Sequence, residues 1–343
     1  MTSGSLTARA VADLVGGRLL GDGDIRINRV RPLDRAGPDA LSFAVSVRYA
    51  ADLDSSKAGA VLVPEALAAG AGPATRIVVP DPYGALVRVL HALYPRESPE
   101  AGVNPTARIG AGAVIGADVS IGPYVVLGKN VQVGARCRLA QGVSVGDGVV
   151  IGDDSVLGPG VVCCPGTRIG SRVVLKAGAV LGGDGFGYLS DGKGHTRIPH
   201  VGGCILEDEV EVGSNTCIDR GSIDDTVVGR GTKLDNLVQV GHNVRIGERC
   251  LIMAGVGIAG STRVGNDVIL AGHVGVTDHL AIGDRARIAA KSAIFGDVPA
   301  GASFSGHPAR PHRQFLRAQA AMYRLAAIVD ELERLVPARA PRG

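Results

Sequence analysis

The sequence predicts a mainly β chain, with a parallel β-helix set between a small N-terminal α/β domain and a C-terminal α-helical extension. Three observations carry this. A six-residue period with an aliphatic first position runs, with two interruptions, from Ile109 to about residue 299. Glycine reaches 51 of 343 residues while aromatics are only 3% and tryptophan is absent, so the core is aliphatic and glycine is expected at regular turns. The two ends lack the period: residues 1–102 read as strand–loop–helix segments and residues 305–343 as one amphipathic helix.

In the N-terminal domain, LTARAVADLVGG reads as a short helix running into a Gly-Gly turn. Val61–Val63 and Ile77–Val79 read as buried strands, and YGALVRVLHALYP as a helix. Phe43 and Tyr49 have two readings: they pack in the core, or they stack on a flat ring such as a nucleobase. Pro95, Pro99 and the polar run between them mark a linker.

From residue 103 to residue 304 the chain is assigned to the β-helix. Twelve hexads follow one another from Ile109 to Val180, which leaves chance out of account. An aliphatic residue at position one, a small one at two and a small or branched one at five describe one flat side and one corner of a triangular coil. Three hexads close a coil of about eighteen residues, and stacked coils pair their strands at roughly 4.8 Å. Residues 181–203 cannot be threaded as hexads. This glycine-rich stretch carries Phe186 and Tyr188 and reads as a loop projecting from a corner. A four-residue unit, DDTV, interrupts the second run. Its Asp224 and Asp225 either orient a substrate or a histidine, or hydrogen-bond turn amides.

The register places the polar residues. His242 is third in its hexad and His279 fourth in a hexad that begins 36 residues later, so the two lie at one side, two coils apart, about 10 Å along the axis. His273 lies on the neighbouring face. Asp235 precedes His242 by about one hexad, and Asn236 and Gln239 lie between them. A histidine of ordinary pKa ~6.5 suits a general base at neutral pH. No GxSxG elbow or Cys–His pair supplies a nucleophile. Zinc needs three protein ligands converging at ~2.0–2.1 Å. Histidines two coils apart in one chain converge only with another chain's help, so no metal is expected.

The remaining composition sets limits. A net charge of +3 compels no nucleic-acid binding. The six cysteines contain no CxxC pair. Cys137, Cys163 and Cys250 fall at inward hexad positions and read as small buried hydrophobes. No leader-like apolar core opens the chain and no run approaches a membrane span, so a cytoplasmic protein without an integral membrane segment is expected. At the C-terminus Phe315, Ala318, Met322, Leu325, Val329, Leu332 and Val336 alternate spacings of three and four, a coiled-coil seam for self-association or packing on the β-helix. Seven arginines against three acids from Arg310 onward make this end basic and attractive to an acidic protein.

The hexad spacing resembles the left-handed parallel β-helix of the hexapeptide-repeat acyltransferases, from which the left hand is taken. The segment GGDGFGY, the run IDRGSIDDTVVGRGTKLDNLVQVGHNVRIG and SGHPARPHRQFLR are more specific. They resemble, in order and over nearly the whole chain, the UDP-3-O-acylglucosamine N-acyltransferases of lipid A biosynthesis. The resemblance implies transfer of a 3-hydroxyacyl chain from acyl carrier protein to the 2-amine of a UDP-sugar, by a homotrimer with sites between subunits. No cofactor is implied beyond the 4′-phosphopantetheine that arrives with the donor. His242 matches the family's base, His279 a second histidine for the oxyanion or phosphate, and Gly260 the glycine whose N–H faces the oxyanion. Phe43 and Tyr49 match the uracil-stacking pair, and Ser46 stands where the family often has asparagine. Asp235 is expected to orient His242. Ala293, on the aliphatic track one side past His279, is expected to leave the acyl groove open. A sister O-acyltransferase acting on UDP-N-acetylglucosamine is the alternative enzyme, and a non-catalytic β-helix module the alternative class.

Overall fold

A computed structural model describes residues 4–95, 100–306, 309–329, 331 and 334. The chain divides into two compact units, residues 1–99 and 100–343.

In the first unit, helix α1 (Ala8–Val15) starts where Thr7 Oγ1 accepts the Ala10 N–H at 3.1 Å and stops at Gly16, whose φ of 63° the missing Cβ permits. Five strands form one sheet in the order Arg18–Leu20, Arg76–Val78, Ala60–Val63, Ala40–Phe43, Arg29–Val30. The first pair is antiparallel and the rest are parallel. The strand Ala60–Val63 is buried on both sides, and its period of two divides it. Leu62 joins the cluster under α1 and the later helix, while Val61 and Val63 join a second cluster with Leu33, Leu53 and Leu67. Helix α2 (Ala50–Ser55) covers that second face through Leu53. Helix α3 (Pro82–Leu93) is capped by the Asp81 carboxylate and buries Ala85, Leu86, Val89 and Leu93 on the first face.

The second unit is a parallel β-helix. Its two- to four-residue strands stack into three all-parallel sheets of 9, 11 and 10 strands. Such short strands have no stability alone; each is held by the coils above and below it. Position one and position five point inward, as Val240, Val244, Ile246 and Cys250 show at 0–3% exposure. Burial of each aliphatic side chain contributes roughly 1.5–3 kcal/mol.

The turn chemistry differs from expectation. The residue in the left-handed region is the fourth of the hexad, and it is often not glycine: Leu237, Asn243 and His279 have φ of 60°, 61° and 57°. Position-two glycine serves close stacking instead. A Cβ on Gly241 would lie 2.9 Å from the Gly260 backbone nitrogen one coil on.

The segment at residues 181–203 leaves the sheet as a small antiparallel hairpin, Tyr188–Ser190 against His195–Arg197. Phe186 packs edge-on against Tyr188 at 5.0 Å and is otherwise exposed. Asp224 and Asp225 take their structural reading. Asp225 Oδ1 accepts the Gly203 N–H at 2.6 Å, and Asp224 pairs with Arg245 at 2.6 Å while accepting the Asp225 N–H.

After a last strand at Ser303–Phe304, helix α4 (His312–Ala327) stands exposed, with Phe315, Met322 and Leu325 about half open to solvent. Among the described residues nothing covers that apolar face. Leu332 and Val336 of the expected seam lie outside the described residues. No described helix is long and apolar enough to cross a membrane.

Candidate functional site

The site grows from one ladder of the β-helix. Gln239, Gly257, Gly275 and Ala293 pair in successive coils, each at the outward sixth position of a hexad. A Cβ on Gly257 or Gly275 would meet open space, so two missing side chains leave a trough along the sheet. The resulting cleft has a volume of about 810 Å³, with Phe186 and Phe295 among its lining residues. Ala293 lines it one full coil beyond Gly275, rather than one side past His279 as the hexad count suggested.

His242, Gly260 and His279 stack at one corner of three successive coils and line the same cleft. The Ser261 N–H donates to the His242 carbonyl at 2.9 Å, and the His279 N–H to the Gly260 carbonyl at 3.1 Å. Gly260 lies against the imidazole: a Cβ there would sit 2.7 Å from His242 Cε1 and 2.8 Å from Nε2. Its own N–H donates to no group among the described residues. His279 is largely exposed, with Asp278 at 3.8 Å.

The His242 tautomer follows from its neighbours. The Asn243 Nδ2 donates to the Asp224 carbonyl at 2.9 Å, which turns Oδ1 the other way. That Oδ1 accepts the Ser222 N–H at 3.0 Å and the Ser222 hydroxyl at 2.7 Å, and it lies 3.0 Å from His242 Nδ1. An amide oxygen only accepts, so Nδ1 carries the proton and Nε2 keeps a lone pair.

Asp235 is corrected by this geometry. Its carboxylate accepts the Asn236 N–H at 2.8 Å and lines a separate small recess with Lys233 and Met253, on another sheet of the β-helix. Asn243 takes the orienting place that was expected of it. Asn236 stays with the same distant corner, accepting the Ser214 N–H at 2.7 Å. Gln239 does reach the cleft, where its Nε2 donates to Asp219 Oδ2 at 3.1 Å.

Two groups beside His242 escaped the sequence reading. Asp219 lines the cleft, and burial pushes its carboxyl above the ordinary range, opposed by the Gln239 bond and by His242 and His200. His200 is buried at 7% exposure, its ring 5.2 Å from that of His242 and edge-on to it. Its Nδ1 lies 2.9 Å from the Ile198 carbonyl, and its Nε2 has no partner among the described residues. The four-residue unit hid Asp219. Cys217 pairs with Gln239 across 22 residues, so a count of 18 misses the stacking.

In the N-terminal unit Phe43 and Tyr49 line one recess of about 330 Å³ with Leu33, Val45 and Asp52. Phe43 and Tyr49 are also partly buried against the two core clusters, as the packing reading expects. Arg48 lies over the Tyr49 ring at 5.2 Å. Ser46 opens the turn before Tyr49 through its carbonyl and is not among the residues lining the recess.

The cysteines offer no nucleophile. Burial raises the Cys163 thiol and pushes that of Cys204 up to about 12. Among the described residues no three His, Cys, Asp or Glu side chains gather closely enough to hold a metal ion.

A family model described as UDP-3-O-(3-hydroxymyristoyl) glucosamine N-acyltransferase matches residues 24–92. A bacterial transferase hexapeptide model matches residues 112–147, 124–157, 148–183 and 225–260. The chain is 47% identical over 340 residues to a UDP-3-O-acylglucosamine N-acyltransferase of Methylobacterium sp. (strain 4-46), with 95% of each chain covered. It is 48% identical over 333 residues to that of Methylobacterium nodulans, with 94% of each covered. Among solved structures, an Arabidopsis UDP-N-acetylglucosamine acyltransferase is 23% identical, with 70% of this chain and 86% of that one covered and a TM-score of 0.48. The fold class is the expected one, mainly β on a parallel β-helix of hexapeptide repeats. The chain belongs to the UDP-3-O-acylglucosamine N-acyltransferase family.

Proposed function

We propose that this chain transfers a 3-hydroxyacyl group from acyl carrier protein to the 2-amine of UDP-3-O-acylglucosamine, acting in the cytoplasm as a homotrimer without a resident cofactor. The observation that carries the reading is His242 Nε2, left with its lone pair by Asn243 and set against Gly260 over a glycine-floored cleft.

The steps follow from these groups. The substrate nitrogen attacks the thioester carbonyl, and a C–N bond forms as His242 Nε2 takes one proton from the nitrogen. The carbonyl oxygen becomes an oxyanion. The Gly260 N–H receives it, helped by His279. Collapse breaks the C–S bond, and the His242 imidazolium returns the proton to the departing pantetheine thiolate. No acyl-enzyme forms. The acyl chain runs along the trough over Gly257 and Gly275 toward Ala293. Phe43 and Tyr49 hold the uracil ring. Arg313, Arg317 and Arg324 on α4 offer positive charge to the acidic carrier protein.

Product analysis tests the reading. The purified protein, given UDP-3-O-acylglucosamine and a mixed pool of acyl carriers, should yield a base-stable amide by mass spectrometry. An ester product, or none with any acyl carrier, would reject it.

A further inference from the structure

We infer that Asp219 is the group that selects a nitrogen nucleophile, by accepting a hydrogen bond from the substrate's 2-amine while His242 removes the amine's other proton. The inference rests on the proposed N-acyl transfer and names the residue that makes the site specific for an amine over a hydroxyl.

The cleft has a polar end and an apolar end. Ile218 points inward and pairs with Val240, so Asp219 follows it out of the core toward His242. The ladder of Gln239, Gly257, Gly275 and Ala293 leads away from this point toward Phe295. An acyl chain belongs over the glycines. The nucleophile therefore belongs at the other end, beside Asp219 and His242.

Asp219 is half-buried and has no cation. Only its Oδ2 is engaged, by Gln239 at 3.1 Å; Oδ1 has no partner among the described residues. The arginines nearby are committed elsewhere. Arg245 pairs with Asp224 and Arg197 with Asp184, each at 2.6 Å, while Arg220 donates to the carbonyls of Gly202 and Pro165. A carboxylate in such a place loses hydration without gaining a cation, and its raised pKa is the sign of that cost. A ligand that brings a donor and positive charge offsets the cost.

An attacking amine brings both. It has two N–H groups, one for Asp219 Oδ1 and one for His242 Nε2. As the C–N bond forms, positive charge develops on nitrogen until His242 takes its proton, and a carboxylate at hydrogen-bond distance stabilises that charge. A hydroxyl has one O–H. It can satisfy His242 or Asp219, not both, and leaves one of them unpaired.

The test compares two acceptors that differ in one atom: UDP-3-O-acylglucosamine, and UDP-3-O-acylglucose with a 2-hydroxyl. Binding is measured by calorimetry to protein that keeps His242, in the absence of any acyl carrier so that no turnover occurs, with and without Asp219→Asn. The amine ligand should bind about 10-fold more weakly after Asp219→Asn, and the hydroxyl ligand should change less than about twofold. In the otherwise wild-type enzyme, kcat/KM for the amine should fall about 100-fold, with Asp219→Glu recovering part of it. Equal change for the two ligands, or no change for either, overturns the inference. Failure of the unsubstituted enzyme to make an amide is a separate outcome, and it overturns the proposed function itself.

Discussion

The Nδ1–H of His242 donates to Oδ1 of Asn243 at 3.0 Å, and this contact decides which imidazole nitrogen is free to act as a base. Asn243 can hold that position because it is the fourth residue of its hexad, where the backbone is left-handed at φ 61° and asparagine is tolerated. Its amide is fixed in turn by Ser222 and the Asp224 carbonyl. Asn243→Ala should therefore lower kcat about 10- to 100-fold with little change in KM, because the ring loses its tautomer and its orientation. Asn243→Asp keeps an acceptor for Nδ1–H and should retain most of the rate. Steady-state kinetics on the two variants check this; equal losses would show that the acceptor at Nδ1 is unimportant.

Gly260 is held to glycine by the imidazole. A methyl group there would lie 2.7–2.8 Å from two ring atoms, so the ring must turn away. Gly260→Ala should reduce kcat at least about 100-fold while the melting temperature moves little, since the displaced ring faces an open cleft. A calorimetric scan alongside the kinetics separates this from misfolding.

The open end of the trough predicts chain-length selection. Ala293 continues the ladder after Gly275, so Ala293→Met places a long side chain across the acyl path. The variant should prefer shorter acyl carriers, losing about fourfold for each methylene it excludes, from roughly 0.8 kcal/mol per buried methylene. Competition among acyl carriers of several lengths reads this directly; an unchanged preference rejects the path.

Asp219 also has a stability signature. Its carboxyl is raised above the ordinary 3.8 chiefly by burial, so the fold favours the protonated form. The corresponding stability is fully present below 3.8 and is lost as pH rises through the raised value. At neutral pH the ligand-free wild type therefore carries a penalty that Asp219→Asn removes. The variant should melt about 1–2 °C higher at pH 7, and the advantage should vanish below about pH 4. A higher melting point that persists in acid would point to another cause.

The β-helix was legible because its inward positions, one and five, are filled by aliphatic residues over many coils. The left-handed fourth position was not legible, because Leu237, Asn243 and His279 can all occupy it and only the backbone shows the strain. Within the site, hexad counting aligned His242 with His279, and the family motif added Gly260. The same counting misled at Asp235, whose proximity in sequence spans a corner of the triangle and ends on another sheet. Asp219 failed to appear for the opposite reason. It is distant in sequence but adjacent in the stack, because its coil carries four extra residues. His200 belongs to the segment outside the hexads, where no register predicts a neighbour.

The central claim is that His242 is the base of a direct transfer, and His242→Ala measures it most simply. The variant should bind UDP-3-O-acylglucosamine within about threefold of wild type by calorimetry, and its turnover with acyl carrier protein should fall about 1,000-fold or more. Near-normal turnover in a variant that still binds its substrate would contradict the account.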